Sequence, residues 1–136
     1  MNSLPVLHTR RLRLFVAGPE TAEACARFNR ENAEFLAPWE PRMSARSFAP
    51  KELREHRERA VAAALAGTAY SFAIDAGTTN SNMTIVGWLN FSNIIRGVFQ
   101  ACNMGYTLSE HAQHRGFMTE AGRAGTMIAA APFFAD

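Results

Sequence analysis

The chain has 136 residues, of which 48% are hydrophobic, and its formal net charge is +2, from 14 Lys and Arg against 12 Asp and Glu. This length predicts a single domain over residues 1–136, and the hydrophobic fraction is typical of a folded protein. A charge so close to zero gives no strong field to attract nucleic acid or an anionic membrane, which excludes both as expected partners.

Targeting and redox signals are equally sparse. No stretch approaches the roughly 18 apolar residues of a membrane helix, and the first residues lack the apolar core of a signal peptide. The two cysteines, Cys25 and Cys102, have no metal-type spacing. We therefore expect a cytoplasmic protein with reduced thiols and no metal.

The first half of the chain predicts one strand followed by two helices. Apolar residues alternate with wetter ones in RRLRLFVAG at 10–18, which is the period of a half-buried strand. A first helix is expected to start after Thr21, because Cys25, Phe28 and Asn32 recur at helical spacing. It should end before the two prolines of the loop FLAPWEPR, since proline breaks a helix.

The second helix is expected from Ala49 to Ala66, with Gly67 ending it. Its apolar residues form one narrow stripe made of Leu53, Ala60, Val61, Ala64 and Leu65. The charged residues are expected to form a solvated face made of Arg54, Glu55, Arg57, Glu58 and Arg59.

Three strands and a helix complete the pattern. The strands are AYSFAID at 69–75, TIVGWLNFS at 84–92 and ACNMGYTLS at 101–109, and the helix begins near Arg115. The middle strand is apolar almost throughout, which predicts that both of its faces are covered. The order β-α-α-β-β-β-α indicates an α/β (α+β) fold with a mixed, mainly antiparallel sheet flanked by helices.

The segment HAQHRGFMTEA at 111–121 joins the last strand to the last helix. The first turn of a helix exposes unpaired N–H groups, a preceding glycine lets a ligand approach the backbone, and Arg115 adds a cation. The segment can therefore cradle a phosphate. An ordinary polar turn explains the same residues, and a single glycine does not decide between the two.

A resemblance bears on this choice. The run from Gln113 to Met118 is similar to the Q/R-x-x-G-x-G/A loop of GNAT-type N-acetyltransferases, which wraps the pyrophosphate of acetyl-coenzyme A. Four further stretches resemble the branch that acetylates the N-terminal alanine of a ribosomal protein: LHTRRLRL, ENAEFLAPWEP, GWLNFSNIIRGVFQACNMGYTLS and GFMTEA. The resemblance implies a GNAT-like fold and transfer of acetyl from acetyl-coenzyme A to a protein N-terminal α-amine, with a ribosomal protein as candidate acceptor.

The chain also departs from that pattern. His114 stands where the branch usually has glycine, and Met118 stands where the family has Gly or Ala. In the family this helix is followed by further strands, so we expect a domain that lacks its C-terminal strands and exposes the strand at 101–109 as an edge, open to pairing in a homodimer. The alternative function is a truncated, inactive fragment that binds acetyl-coenzyme A weakly or pairs through this edge.

The resemblance also assigns candidate site residues. The expected cofactor-binding residues are the backbone of Tyr106 and Leu108 with the loop residues Gln113, His114, Arg115, Gly116, Phe117, Met118 and Thr119.

Three further residues are candidates on the acceptor side. Glu40 is the candidate general base, because two prolines hold it in a stiff loop; a solvated loop carboxylate is the simpler alternative. Trp39 and Asn90 are the candidate substrate-binding residues, with a core aromatic and a turn-stabilising amide as their respective alternatives.

Overall fold

The computed structural model describes residues 4–38, 48–77, 84–95 and 101–134 of the chain. Five strands form one sheet in chain order, and every pair of neighbours is antiparallel. The strands are β1 (Val6–His8), β2 (Arg13–Val16), β3 (Tyr70–Asp75), β4 (Ile85–Ile95) and β5 (Ala101–Leu108). The helices are α1 (Ala22–Leu36), α2 (Pro50–Ala66) and α3 (Phe117–Phe134), with short 3-10 turns at Pro19–Thr21 and Glu110–Ala112.

The predicted fold class is confirmed, with one strand more than the sequence pattern indicated. β1 was missed because three residues are too few to show an alternation. It pairs with β2 through a tight turn in which the Thr9 N–H donates to the Leu12 carbonyl oxygen at 2.8 Å. This turn also contacts the start of α3, through Arg11 and Glu120.

The core lies on one face of the sheet. Its largest fully buried side chains are Leu14, Phe72, Ile74 and Leu89, which occupy matching positions on β2, β3 and β4. α3 packs closely on this face: a Cβ built on Gly125 would lie 2.7 Å from Leu89 Cδ2. The sheet is thus held against α3 on this face, and α1 and α2 contact its other face.

The expectation that both faces of β4 are covered is wrong. Leu89 and Phe91 are 1% and 2% exposed, whereas Asn90 and Ser92 are exposed. The strand therefore alternates like an ordinary half-buried strand. Its second face opens into a cleft beneath α1 and α2, described below.

Helix α2 keeps its predicted end but not its predicted faces. Gly67 adopts φ 73° and closes the helix, as expected. Arg57, assigned to the solvated face, is only 3% exposed, and Leu65, assigned to the apolar stripe, is 43% exposed. Arg57 lies one turn from Leu53 and from Val61, so its position belongs to the inward stripe although its charge suggested the opposite.

Strand β5 forms an edge of the sheet in the part of the chain that the structure describes, as predicted. Met104 and Tyr106 are 55% and 64% exposed on it. Elsewhere in the described residues, no helix is long and apolar enough to cross a membrane, and no group of three His, Cys, Asp or Glu side chains could hold a metal ion.

The structure describes the side chain of one of the two cysteines. Cys25 is buried as a free thiol, and burial raises its pKa. The side chain of Cys102 lies outside the described residues.

Candidate functional site

The open edge of β5 presents backbone groups in a defined alternation. The Ser109 N–H donates to the Val86 carbonyl oxygen of β4 at 2.7 Å. Because successive residues turn their backbone groups to opposite sides of a strand, those of Met104, Tyr106 and Leu108 point away from β4. The Tyr106 and Leu108 N–H groups are the ones predicted to face the cofactor, and this geometry is compatible with that role.

The loop between β5 and α3 passes twice through positive φ, at His114 with 62° and at Gly116 with 74°. Residues in this conformation are typical of the backbone concavities, called nests, that bind anions. The first bond into α3 is donated by the Glu120 N–H to the Gly116 carbonyl oxygen at 3.1 Å. Of the N–H groups from His114 to Thr119, that of Arg115 closes the turn over Gln113 and His114, and no described residue offers an acceptor to the other five.

This run, which we call the loop nest (113–119), carries charge as well as N–H groups. Arg115 is exposed and has no carboxylate within 4.0 Å among the described residues. The positive end of the α3 dipole lies at the same place. The loop nest therefore suits a ligand with oxygen acceptors and negative charge.

The turn between β1 and β2 holds the loop nest from behind. Arg11 donates from Nη1 to the Arg115 carbonyl oxygen at 2.7 Å, and its guanidinium lies 4.6 Å from the centre of the Phe117 ring. Glu120 accepts from the Arg11 backbone N–H at 2.9 Å and Nε at 2.8 Å, and also from the Thr9 hydroxyl. The Thr9 hydrogen bond, with those from Arg11 and its charge, lowers the pKa of Glu120.

Two amide side chains fix the other end of the loop. The buried Asn32 of α1 donates to the Phe28 carbonyl oxygen at 2.9 Å and accepts from the Glu110 N–H at 3.2 Å. Gln113 donates from Nε2 to the Leu108 carbonyl oxygen at 3.1 Å. The predicted cofactor residue Gln113 thus anchors the loop with its side chain.

Beside the loop nest lies a cleft of about 430 Å³, which we call the edge cleft. Its lining residues come from the end of α1, from β5 and from the loop: Phe35, Leu36, Tyr106, Thr107, Leu108, Gln113 and Met118. The structure brings four of the predicted cofactor residues together here. Phe117 differs, because its side chain is buried, so only its backbone N–H is left for a ligand.

A second cleft, of about 620 Å³, lies between α1, α2 and the open face of β3, β4 and β5, and we call it the inner cleft. Arg57, Ser71, Trp88 and Asn90 line it, and Thr107 lines both clefts. Burial and the charges of Arg57 and Arg59 lower the pKa of His56 at its rim. The inner cleft therefore has a positive electrostatic character.

The predicted acceptor-side residues divide between these regions. Asn90 lies in the inner cleft, while Trp39 and Glu40 lie outside the described residues. Sequence analysis did not assign Arg11, Asn32 or Arg57 to the site. The helical spacing of Asn32 and Arg57 put both on inward faces, which was the available signal; nothing local marks Arg11, whose partners are more than 100 residues away.

The sequence matches a known protein family and a curated relative. Residues 11–134 match the family model described as an acetyltransferase (GNAT) domain. The ribosomal protein uS5-alanine N-acetyltransferase of Escherichia coli (strain K12) is 31% identical over 115 residues, which are 85% of this chain and 58% of that protein. This chain thus spans somewhat over half the length of the curated relatives that it matches.

Solved structures agree on the fold. The ribosomal-protein-S5-alanine acetyltransferase from Vibrio fischeri superimposes with a TM-score of 0.79 at 25% identity, covering 96% of this chain and 68% of that one. Mycobacterium smegmatis RimJ, solved in complex with CoA-disulfide, superimposes with a TM-score of 0.74 at 21% identity, covering 90% of this chain and 59% of that one.

Proposed function

Because this chain belongs to the acetyltransferase (GNAT) domain family, we propose that it binds acetyl-coenzyme A in the edge cleft and transfers the acetyl group to a protein N-terminal α-amine. The observation that carries the proposal is the loop nest. Five N–H groups, those of His114 and of residues 116–119, have no acceptor among the described residues and lie beside the edge cleft.

The chemistry of the loop nest fits a pyrophosphate. Converging backbone N–H groups at a helix start bind phosphate oxygens, and the exposed Arg115 adds a full positive charge. The outward N–H and C=O groups of β5 can pair with amides, which coenzyme A also carries. No metal is needed for such binding.

Acetyl-coenzyme A supplies an acyl group activated as a thioester. The outward N–H groups of Tyr106 and Leu108 can hold negative charge that develops on a carbonyl oxygen at the edge, which is the role of an oxyanion hole. Thr107 lines both clefts, so an acceptor in the inner cleft can reach the same strand from the other side. Glu40 as base and Trp39 as a substrate contact remain predictions.

An N-terminal α-amine is the acceptor that this site can use most readily. Its pKa is near 8, against about 10.4 for a lysine side chain, so a larger fraction is neutral and nucleophilic at pH 7. The relative from Escherichia coli is named for the alanine of ribosomal protein uS5. A peptide that begins with alanine is therefore the first acceptor to test, and such an acceptor agrees with the predicted cytoplasmic location.

The proposal is tested by thermal unfolding with and without acetyl-coenzyme A. A ligand at 100 times its Kd adds about 2.7 kcal/mol to the free energy of unfolding, which gives a clear rise in Tm. We expect Gly116→Val to abolish the rise, because a branched side chain at φ 74° distorts the loop nest. Gly122→Ala, on α3 with open space around it, should retain the rise.

Turnover is then measured as the release of the coenzyme A thiol in the presence of the alanine peptide. A wild-type chain that unfolds cooperatively at the same Tm with and without saturating acetyl-coenzyme A would contradict the proposal. A homodimer through β5 also remains a prediction, and sedimentation of the same samples reports on it.

A further inference from the structure

The side chain of Arg57 is buried beside the inner cleft with no carboxylate within 4.0 Å in the described part of the chain. It donates from Nε to the Ala17 carbonyl oxygen at 2.8 Å, from Nη2 to the Ser71 carbonyl oxygen at 3.1 Å and from Nη1 to Ser71 Oγ at 3.0 Å. Its guanidinium carbon lies 4.8 Å from the centre of the Trp88 ring. Burying a cation costs free energy unless hydrogen bonds compensate for the lost water. The three hydrogen bonds supply that compensation, and together they hold the planar guanidinium of Arg57 in one orientation.

The contact with Ser71 fixes the direction of a longer hydrogen-bond chain. Arginine only donates, so Ser71 Oγ must accept from Arg57. The single hydroxyl proton of Ser71 is then free to donate, and it reaches Asn90 Oδ1 at 2.7 Å. The amide oxygen of Asn90 is therefore bonded to Ser71. The Nδ2 group of Asn90, which has two N–H donors, is not used in this bond.

We propose that Arg57, acting through Ser71, is a positioning residue that presents the Asn90 amide N–H groups to the inner cleft, where they donate to a backbone carbonyl oxygen of the acceptor peptide. The Ser71 hydroxyl accepts from Arg57 and donates its single proton to Asn90 Oδ1, so the chain of bonds runs from Arg57 to Asn90. Without it, the Asn90 amide could rotate and offer oxygen instead of N–H. The proposal rests on the proposed function, since it assigns the inner cleft to the acceptor.

The surroundings of Asn90 favour the same kind of ligand atom. Arg57 and Arg59 both line the inner cleft, and the pKa of His56 is lowered there by burial and by these two charges. A positive cleft attracts carbonyl oxygens and disfavours an ammonium ion. The acceptor is therefore bound by its backbone carbonyls, and its amine is favoured in the neutral form that reacts.

The test uses the whole chain loaded with coenzyme A and a six-residue uncharged peptide beginning with alanine. The Kd of the peptide is measured by calorimetry. The kcat, and the KM for the peptide, are measured with acetyl-coenzyme A as the acetyl donor. Ser71→Ala removes the hydroxyl but keeps both backbone carbonyl contacts of Arg57, so the fold is retained. We expect the peptide Kd and KM to rise about fivefold, with kcat unchanged, and Ser71→Thr to restore them.

Asn90→Asp tests the donor itself. The carboxylate still accepts from Ser71 but presents an oxygen where the wild type presents N–H. We expect a larger loss of peptide affinity, about tenfold or more. A peptide whose first carbonyl is replaced by a thioamide, a poorer acceptor, should bind about fivefold more weakly to the wild type and equally well to Asn90→Asp.

The outcomes separate the two proposals. If acetyl-coenzyme A raises Tm but the peptide does not bind, or binds the wild type and Ser71→Ala equally, the role of Arg57, Ser71 and Asn90 is overturned and cofactor binding stands. If the thioamide has the same effect on every variant, the carbonyl contact is also overturned. If acetyl-coenzyme A does not raise Tm, the proposed function fails, and peptide affinity in the variants still decides the role of Asn90.

Discussion

Two residues with left-handed backbone shape the loop nest, and only one of them is glycine. Gly116 adopts φ 74° at no steric cost, whereas His114 adopts φ 62° with a Cβ. That conformation costs a residue with a side chain roughly 1–2 kcal/mol. His114 therefore adopts a backbone shape that glycine takes more readily, and it carries the strain of that shape.

His114→Gly should consequently be tolerated. We expect acetyl-coenzyme A affinity to stay the same or to improve, because the backbone N–H groups remain and the strain is removed. The free energy of unfolding should change by less than about 1 kcal/mol, since the relieved strain is offset by the greater entropy of glycine in the unfolded chain. Calorimetric titration and urea unfolding measure the two quantities. Weaker binding would show that the imidazole itself contacts the ligand.

At the scale of elements, α3 connects the loop nest to the core. Gly125 lies where the helix meets β4: an added Cβ would be 2.7 Å from Leu89 Cδ2 and 2.9 Å from Phe91 Cε2. Gly122, one turn earlier, has nothing within 4 Å of the same position. The two glycines share a helix and differ in what surrounds them.

This pair gives a matched prediction. Gly122→Ala should raise the free energy of unfolding by about 0.5–1 kcal/mol, because alanine is the better helix former and meets no obstacle. Gly125→Ala should lower it by about 1 kcal/mol or more, because overpacking against Leu89 and Phe91 exceeds that gain. Urea unfolding of both variants measures the difference. Equal stabilisation by the two substitutions would mean that α3 sits farther from β4.

For the whole molecule, Glu120 joins the two ends of the described chain. It binds Thr9 and Arg11 across a sequence separation of more than 100 residues, and these contacts lower its pKa from the usual 4.5. A carboxylate with a lowered pKa in the folded state stabilises the fold above its unfolded pKa. That contribution disappears as the pH falls through the lowered value.

Glu120→Gln should therefore reduce stability in a pH-dependent way. At pH 7 we expect a loss of about 1 kcal/mol, the value of a partly exposed charge-assisted contact. The difference between the variant and the wild type should shrink below pH 4.5, as Glu120 takes up a proton. Urea unfolding between pH 3 and 7 gives the comparison. A difference that is constant over this range would assign the effect to packing.

The same scale shows what the sequence could and could not predict. Local rules were enough for Gly67, which ends α2, and for the order of the three helices and of every strand except β1, because each depends on neighbours in the chain. They failed for Arg57. Its charge led to a prediction of exposure, although its helical spacing from Leu53 and Val61 indicated an inward position. They were silent on Arg11, because its role depends on a contact that only the folded chain creates.

Within the described parts of the chain, Thr107 alone lines both clefts, so a single strand separates them. Both clefts use α1 and β5, but the loop nest lies only beside the edge cleft, whereas α2, β3 and β4 line only the inner cleft. Substitutions along α2 and β3 can then reshape the inner cleft without disturbing the loop nest. Under the proposed function, such a layout would let acceptor preference diverge during evolution while the proposed cofactor site is inherited unchanged.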